Sequence, residues 1–544
     1  MERSGSAAGA AAQSLCDLLE AAARRHGERV AVVAPDGSSL TYAELEARAA
    51  AIAGFLRARG VQPGDRVGFC LPKGTASVAV LFGAMKARAA YVPVDWHGPA
   101  ARNATIHRAA DVAALFLGEA RADVLREWPS DALPKTLVRV PMGRTGSAGA
   151  HATVVHPFPD GAQEFEAALR HAPLAPDGAG PRRRDDLAYL LFTSGSTGVP
   201  KGVALTQENA LSFVDWGSEV FAPTCDDRFS SHAPFHFDLS VFDLFVALKH
   251  GATLFLIGEE LGKEPKGLAR FIAEKRLTIW YSTPSALALL AEFGNLPALD
   301  LSALRHVLFA GEVFPVKTLR RLTELLPAPA YWNLYGPTET NVCTFARIPL
   351  PIAADRTEPF PIGPLCSHCE GLLLDDAGAP VAAGEEGRLH IAGPALFRGY
   401  FGRQDLDAKC FHERDGKRWY DTGDVVREEP GLGFRYLGRR DRMVKRRGYR
   451  IELGEVEAAL QRHPELREAA VVALPDPAAG VRIDAHLAPV GAPLSLIALK
   501  RYCAEQLPAA MSPDRFHFHA ALPRTSTAKV DYPALLRASA AASP

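Results

Sequence analysis

Apolar strand-like runs alternate with helical stretches in two long parts of this 544-residue chain, and this alternation constrains the fold more than any other feature. From about residue 15 to 95, the helical stretches are interrupted by runs such as RVGFCL and AAYVPVD. The pattern returns between residues 185 and 346 with LAYLLFT, ATLFLIG, LTIWYST and HVLFAG. Such alternation predicts an α/β fold.

The remaining third of the chain has a different pattern. Short strands and Gly/Pro turns between residues 361 and 437 predict a small barrel-like β unit. Beyond YLGRRDRMVKRRGYR, helical periodicity in LGEVEAALQRH and SLIALKRYCAEQL mixes with the strand-like runs AAVVALP and RIDAHLAPV. We therefore expect a large N-terminal region at 1–437, with two α/β sheet subdomains and the β unit. A small α+β C-terminal domain at 442–544 follows it.

Composition excludes several classes of protein. A formal net charge of -1 argues against a general nucleic-acid binder, although KRRGYR could form a local basic patch. Because this run lacks aromatic interleaving, it is interpreted as a solvated face. The N-terminus has no signal peptide pattern, and no uncharged apolar run of 18 residues occurs, which favours a cytoplasmic protein. The eight cysteines, including those of CSHC, are interpreted as reduced thiols, because no second CxxC pair completes a zinc site.

The segment YLLFTSGSTGVPKGV is the first candidate for chemistry. Glycine lets backbone N–H groups approach an anion closely, so a loop of this composition suggests a phosphate site. It is not a Walker loop, because Lys201 lies between Pro200 and Gly202 and the following VALT reads as a strand. Taken alone, the segment would fit a mobile hairpin turn better than a phosphate site.

Further motifs follow this loop in a fixed order: FHFDLSVFDLF, NLYGPTETNVC, YDTGD, YLGRRDRMVKRRGYRIELGEVE and RTSTAKVD, with LTYAEL and KARAAYVPVD upstream. Together they span nearly the whole chain and resemble the adenylate-forming superfamily, specifically the amino-acid adenylation domains of nonribosomal peptide synthesis. The resemblance implies that a carboxylic acid is activated with ATP as an acyl-AMP, releasing pyrophosphate, and then acylates a thiol.

The resemblance also implies an ATP and Mg²⁺ site. Glu339 would ligate Mg²⁺, a hard cation that prefers oxygen ligands. The nucleotide contacts would come from Asn333 (adenine amino group), Tyr335 (base stacking), Thr338 (phosphate), Asp424 (ribose hydroxyls), Tyr436 (ribose) and Arg439 (a nearby cation). The pyrophosphate would be held by Thr193, Ser194, Gly195, Ser196, Thr197, Gly198 and Lys201.

Two residues near the C-terminus carry the implied mechanics. Lys529 would bridge the substrate carboxylate and the α-phosphate. Asp441 would lie in a hinge at 438–441 about which a mobile C-terminal domain rotates. The chain departs from the family pattern at Thr527-Ala528, where asparagine-glycine is common, and at Ala510, where tyrosine is usual. These departures leave an inactive nucleotide-binding relative as one alternative.

The substrate expectation depends on Asp238, which matches the aspartate that pairs with the α-amino group in amino-acid adenylation domains. The side-chain pocket would be uncharged and would be formed by Leu239, Phe242, Tyr281, Leu308, Ala310, Leu334, Val342 and Cys343. This set resembles that of free-standing L-prolyl-[carrier protein] ligases. Alanine, valine and pipecolate remain open, since one methylene discriminates only about 10–200-fold. An acyl-CoA or aryl-CoA ligase is the other enzymatic alternative.

The expected partners follow from the same resemblance. The chain contains no Gly-Gly-x-Ser segment of the kind that carries phosphopantetheine, so the acceptor is expected to be a separate holo peptidyl carrier protein. Neither a nucleic acid nor a membrane is expected as a partner.

Overall fold

The computed structural model describes residues 12–129, 133–141, 162–174, 178–195, 199–439, 442–476, 480–491, 494–524 and 530–542. Their strands are β1 (Val30–Val33), β2 (Ser39–Thr41), β3 (Arg66–Cys70), β4 (Ala90–Pro93), β5 (Ala114–Gly118), β6 (Thr136–Val140), β7 (Gln163–Glu164), β8 (Leu187–Thr193), β9 (Lys201–Thr206), β10 (Arg228–Ser231), β11 (Thr253–Leu256), β12 (Ile279–Ser282), β13 (His306–Phe309), β14 (Ala330–Tyr335), β15 (Thr344–Arg347), β16 (Glu370–Leu374), β17 (Glu386–Ala392), β18 (Gly399–Tyr400), β19 (Phe411–Arg414), β20 (Lys417–Glu429), β21 (Gly433–Arg439), β22 (Met443–Arg446), β23 (Tyr449–Glu452), β24 (Leu466–Asp476), β25 (Gly480–Pro489) and β26 (Arg515–Phe518).

The α-helices are α1 (Leu15–His26), α2 (Tyr42–Ala58), α3 (Thr75–Lys86), α4 (Ala100–Ala109), α5 (Phe165–Leu169), α6 (Gln207–Phe221), α7 (Leu239–Val241), α8 (Ala247–Lys249), α9 (Glu259–Gly262), α10 (Pro265–Glu274), α11 (Pro284–Phe293), α12 (Val316–Leu325), α13 (Gln404–Cys410), α14 (Leu453–Gln461), α15 (Leu496–Gln506) and α16 (Tyr532–Ala541). Residues 242–246 form a π-helical turn between α7 and α8. Short 3₁₀ segments lie at Glu119–Glu127, Leu296–Ala298 and Ala509–Met511.

Two eight-stranded sheets dominate the described residues. One has the order β15-β14-β13-β12-β10-β11-β1-β2, and the other has the order β18-β9-β8-β4-β3-β5-β6-β7. The central strands of each sheet are parallel, whereas β2, β15, β9 and β18 pair antiparallel at the edges. The predicted α/β class with two sheet units is confirmed.

The largest hydrophobic core contains residues from both sheets and from α1, α2, α3 and α6. Alternate positions along the strands separate this core from the outer ones: Tyr91 and Tyr189 belong to it, whereas Val92 and Leu190 belong to a cluster with residues of α4. This is the period-2 alternation of a strand buried on both faces. The apolar runs that predicted these strands are continuous for that reason.

Local signals set the helix boundaries. Thr41 begins α2 with a capping box, in which its hydroxyl accepts from Glu44 N at 3.2 Å and its own N–H donates to the Glu44 carboxylate at 2.8 Å. Pro284 occupies the first turn of α11 behind the N-cap Thr283, where a missing N–H costs nothing.

The last third of the chain forms three smaller sheets. The predicted β unit is a sheet of β16, β17, β20 and β19, with β21 paired to β20. Strands β22 and β23 form a hairpin, here called the C-terminal hairpin (residues 443–452), and β24, β25 and β26 form a sheet packed against α14. The predicted mixture of helices and strands in this tail is confirmed, whereas the domain boundaries stay a prediction.

Candidate active site

A cavity opens where the carboxyl ends of the parallel strands meet the C-terminal hairpin. Its lining includes residues within two positions of the carboxyl ends of β4, β8, β12 and β13, namely Asp95, Ser194, Tyr281 and Gly311. Ligands of open α/β sheets bind at this end of the strands. The hairpin closes the cavity with Met443, Lys445, Gly448, Tyr449 and Arg450.

Asp238 lies half-buried in this lining, immediately before α7. Its Oδ2 accepts a hydrogen bond from the Thr338 hydroxyl at 2.8 Å. Burial raises the pKa of this carboxyl, although Thr338 and the Lys445 ammonium act in the opposite direction. Within the described residues, no cationic nitrogen lies within 4 Å of the carboxylate, which leaves it ready to pair with an ammonium group.

Only half of the residues predicted for the side-chain pocket line the cavity. Leu239, Tyr281, Ala310 and Val342 line the cavity, and their contact with a substrate side chain stays a prediction. Four other predicted members are buried without being among its lining residues: Phe242, Leu308, Leu334 and Cys343. Phe242, for instance, packs edge-on against Tyr281 with ring centroids 5.6 Å apart, so it shapes the pocket from behind.

The residues predicted for ribose gather around Asp424. This carboxylate is almost fully buried; its Oδ1 accepts from Arg439 Nη1 at 2.8 Å, and its Oδ2 accepts from the Tyr335 hydroxyl. Tyr436 lies beside Tyr335, with 6.1 Å between ring centroids. Register explains the grouping, because Asp424 on β20 is paired with Arg439 on β21.

Two predicted nucleotide contacts make other bonds here. Asn333 donates to the Pro361 carbonyl at 3.0 Å and is not among the cavity-lining residues. Thr338, predicted to meet phosphate, instead donates to Asp238. Their roles toward ATP stay predictions.

Glu339 is the centre of a buried charge network. Arg450 Nη1 donates to both of its carboxylate oxygens, at 2.9 and 2.8 Å. The Tyr400 hydroxyl donates to Oε1 at 2.6 Å, and Lys201 Nζ lies 3.7 Å from the same oxygen. Lys201 also donates to the Tyr400 hydroxyl at 3.2 Å. The lysine of the glycine-rich loop therefore points at the carboxylate predicted to bind metal.

The charges in this network shift one another's pKa values. Burial by itself raises the pKa of Glu339, but Arg450 and Lys201 outweigh it and lower the pKa to about 2. Burial and then the Arg450 charge lower the pKa of Lys201 to about 8, against the opposing effect of Glu339. The carboxylate is thus ionised at any physiological pH, whereas the lowered pKa of about 8 lets the lysine lose its charge in mildly alkaline solution.

The C-terminal hairpin docks directly onto the glycine-rich loop. Ser194 Oγ donates to the Arg450 carbonyl at 2.6 Å and accepts from Glu452 N at 3.2 Å. At the turn, Arg447 and Gly448 both have positive φ, as a two-residue hairpin turn requires. A Cβ on Gly448 would lie 2.4 Å from Thr283 Cγ2, so only glycine fits.

The interpretation of KRRGYR as a solvated face was wrong. Arg446 is buried, Lys445 and Arg450 are mostly enclosed, and only Arg447 of the four basic residues is exposed. Lys445 lies 5.3 Å above the ring of Tyr335. The run faces inward because its cations have partners inside the protein. Arg450 pairs with Glu339 of the N-terminal region, whereas Arg446 pairs with Asp514 of the C-terminal part.

Several predicted residues lie outside the described residues: Ser196, Thr197, Gly198, Asp441 and Lys529. Their roles stay predictions. The described neighbours of Lys529, Arg524 and Val530, form a β-bridge with each other.

The cysteines are free thiols, as expected, and Cys366 and Cys369 of CSHC are buried. Among the described residues, no group of three or more His, Cys, Asp or Glu side chains could hold a metal ion. The same residues include no helix long and apolar enough to cross a membrane.

Sequence reasoning missed several groups that the structure brings to the site. Tyr400 bonds to both Glu339 and Lys201, Asn341 lines the cavity, and Arg102 approaches it from α4. Nothing in the local pattern around these residues marks them, because each acts through chain segments distant in sequence.

Comparison with known proteins decides the family. The family model described as "AMP-binding enzyme" matches residues 19–401, and "AMP-binding enzyme C-terminal domain" matches residues 455–529. The chain belongs to the AMP-binding enzyme family.

Several known proteins are similar to this chain over nearly their full length. The L-proline--[L-prolyl-carrier protein] ligase of Pseudomonas fluorescens is 39% identical over 513 residues, covering 94% of this chain and 97% of the relative. The Streptomyces coelicolor protein of the same name is 38% identical, covering 96% of both. Among solved structures, the amide bond synthetase McbA from Marinactinospora thermotolerans matches with a TM-score of 0.80 and 25% identity over 96% of this chain and 99% of that one.

The side chains present fit the nucleotide and metal that an AMP-binding enzyme implies. Asp424 has a buried carboxylate that would accept hydrogen bonds from two ribose hydroxyls. Glu339 offers one hard oxygen donor, so Mg²⁺ there would take its other ligands from phosphate oxygens and water, as this ion commonly does. Arg450 holds the Glu339 carboxylate in the present pose, and the metal would need this arginine to withdraw.

Proposed function

We propose that this enzyme activates L-proline as prolyl-AMP, releasing pyrophosphate, and then transfers the prolyl group to the phosphopantetheine thiol of a holo carrier protein. The observation that carries the substrate class is Asp238, a half-buried cavity carboxylate with no cation within 4 Å among the described residues. Two relatives named as L-proline ligases, at 38–39% identity over nearly the whole chain, support proline as the amino acid.

In the first half-reaction, one oxygen of the substrate carboxylate attacks the α-phosphorus of ATP, and the bond to pyrophosphate breaks. Asp238 pairs with the secondary ammonium of proline and fixes the carboxylate direction. Asp424 and Tyr335 hold the nucleoside, and Lys201 offers its ammonium to the outgoing phosphates. Mg²⁺ held by Glu339 would neutralise phosphate charge. Lys529 is proposed to bridge the carboxylate and the α-phosphate.

In the second half-reaction, the carrier thiol loses its proton, its sulfur bonds to the acyl carbon, and AMP leaves. The pose described above suits this step, because the C-terminal hairpin closes the cavity and its arginine neutralises Glu339 without metal. The hinge at Asp441 is proposed to convert one arrangement into the other.

The apolar lining limits the side chain that can be bound. Leu239, Ala310 and Val342 supply no charge or hydrogen-bond partner, so a charged side chain would be buried at a cost of several kcal/mol. Proline is compact and apolar, and its nitrogen still reaches Asp238 as an ammonium. Alanine, valine and pipecolate share these properties and are the competitors to measure.

The deciding experiment is ATP–pyrophosphate exchange across a panel of amino acids, with amine-free acids included. L-proline is expected to give the highest kcat/KM. A clear preference for an aromatic, charged or amine-free acid would contradict the proposal. Supplying either CoA or a holo carrier protein as acceptor then distinguishes this enzyme from an acyl-CoA ligase.

A further inference from the structure

The carboxylate of Glu455 is held between two groups of the N-terminal region. Glu455 lies in the first turn of α14, with its side chain only 2% exposed. Gly195 N donates to its Oε2 at 3.1 Å, and the Arg102 guanidinium forms an ion pair with its Oε1. A helix of the C-terminal part thus delivers a negative charge into the body of the protein.

The two groups that receive this carboxylate belong to the phosphate side of the cavity. Gly195 follows β8 in the glycine-rich loop, and Arg102, on α4, lines the same cavity as Thr193 and Ser194. A guanidinium and a backbone N–H converging on two oxygens bind carboxylate and phosphate by the same charge-assisted hydrogen bonds. Arg102 and the Gly195 N–H therefore have the chemistry of an anion-binding site, which the Glu455 carboxylate of the same chain occupies in this structure.

We propose that Arg102 and the Gly195 N–H bind a phosphate oxygen of ATP or pyrophosphate whenever Glu455 is withdrawn, and bind the Glu455 carboxylate when the C-terminal part is docked. The inference rests on the proposed function, because it requires ATP at the glycine-rich loop. Two anions cannot share these donors, so the occupants exclude each other. Arg102 then binds phosphate in the first half-reaction and positions the C-terminal part in the second.

The neighbouring contacts agree with this exchange of partners. Ser194, beside Gly195, is bonded to the Arg450 carbonyl and to Glu452 N. Residues 450–455 therefore bond to three groups at once: the Ser194 hydroxyl, the Gly195 N–H and the Arg102 guanidinium. Withdrawing this short segment would free all of them for phosphate oxygens at once.

The Michaelis constant for pyrophosphate in amino-acid-dependent exchange provides the test, because the two substitutions should move it in opposite directions. Glu455→Ala removes the competing carboxylate and should lower this constant severalfold. Arg102→Met removes a charge-assisted contact to phosphate, whereas Arg450 and Ser194 still dock the hairpin, so the constant should rise about tenfold or more. Both variants should slow transfer from preformed prolyl-AMP to the holo carrier protein.

Matched controls separate these effects from general damage. Arg108→Met alters the same helix at an exposed arginine that bonds to the Glu127 carbonyl. Glu457→Ala alters α14 at a carboxylate paired with Arg442 inside the C-terminal part. Neither should change the pyrophosphate constant. If Arg102→Met does not fold, Arg102→Lys, which keeps the charge but loses the fork, is expected to give a smaller rise.

A shift in the same direction for Glu455→Ala and Arg102→Met, or no shift in either, would overturn the inference. Calorimetric titration of the same variants with magnesium pyrophosphate needs no amino acid and must give the same two signs. A failure of the proposed function would look different, since wild-type enzyme would then show no proline-dependent exchange at all.

Discussion

Arg450 Nη1 lies 2.9 and 2.8 Å from the two carboxylate oxygens of Glu339, so a cation from the C-terminal hairpin occupies the oxygens predicted to bind metal. Both oxygens are engaged in this pose, which means that the metal-bound and hairpin-docked arrangements compete for one carboxylate. The ion pair is fully desolvated on the glutamate side.

Replacing Arg450 should therefore separate the half-reactions. Arg450→Met leaves Glu339 buried without its main partner in the docked pose, and transfer to the carrier protein should slow about tenfold or more. ATP–pyrophosphate exchange, for which the arginine must withdraw, should stay close to the wild-type rate. Rapid-quench measurement of both steps gives the comparison, with exposed Arg447→Met as the control. Equal losses in both steps would refute this reading of the pair.

Lys201 should give a pH signature in the first half-reaction. Burial and Arg450 lower the pKa of Lys201 to about 8, so the free enzyme carries the ammonium below that pH and loses it above. If the ammonium meets phosphate, kcat/KM for ATP should fall as the pH rises through 8. The fall should move to higher pH in Arg450→Met and vanish in Lys201→Arg. A Lys201→Arg profile that matches wild type would exclude this role.

Asp238→Asn should raise the KM for proline strongly. The substitution leaves the substrate ammonium in an enclosed site without its counter-charge, a loss on the order of 3–5 kcal/mol when one partner of a buried pair is removed. The KM for ATP should change little. Thr338→Val, which removes only the hydroxyl that orients Asp238, should raise the proline KM less. An unchanged proline KM in Asp238→Asn would remove the case for an amino acid.

The sheet of the C-terminal part should be sensitive to acid. His486 is buried between His519, whose Nε2 lies 2.8 Å from its Nδ1, and Ser539, whose hydroxyl lies 2.9 Å from its Nε2. The ring of His517 stacks on that of His486, with 4.7 Å between the ring centroids. Asp484 accepts a hydrogen bond from the His517 ring and is the acidic group near His486. Burial, with the neighbouring histidines, lowers the pKa of His486 to about 4.

The unfolded chain takes up this proton first, near pH 6.5, as the pH falls. The contribution of His486 to stability is therefore complete above about pH 6.5 and is lost progressively toward pH 4, amounting to about 1–3 kcal/mol. Denaturant unfolding at pH 7.5 and 5 should show the loss in wild type and a smaller one in His486→Asn. His463→Gln serves as the control, and an identical loss in His486→Asn would rule out this histidine.

Lys529 lies outside the described residues, so its prediction depends on the family resemblance alone. Losing one preorganised donor at the α-phosphate typically costs ~10²–10³-fold in rate. Lys529→Ala should slow proline-dependent exchange by at least this factor, while transfer from preformed prolyl-AMP should persist. Parallel loss of both activities in a variant with an intact circular dichroism spectrum would argue against a lysine that serves one step only.

Much of the fold could be predicted because its signals are local. Continuous apolar runs mark β8 and β13, and the Thr41–Glu44 capping box marks the start of α2. Asp238 and Asp424 were found through motif resemblance. The contacts of Arg102, Tyr400 and Arg450 were not predicted, because each joins segments tens to hundreds of residues apart. Their partners depend on how whole layers pack, which no local period encodes.

The Gly448 turn has a consequence for anyone recombining such enzymes. Its N–H donates to Glu312 at 3.0 Å, and Glu312 in turn receives the backbone and hydroxyl of Ser285 at 3.0 and 2.6 Å. The segment 283–312 also contains residues that neighbour Tyr281 in the pocket wall. This segment and residues 443–452 thus form one continuous contact surface. A chimera joined at the hinge would combine an N-terminal region and a C-terminal part whose contact surfaces come from different enzymes and do not match. Grafts that exchange both segments together should keep both half-reactions. Pocket swaps alone should yield enzymes that form the aminoacyl-AMP but do not transfer the aminoacyl group to the thiol.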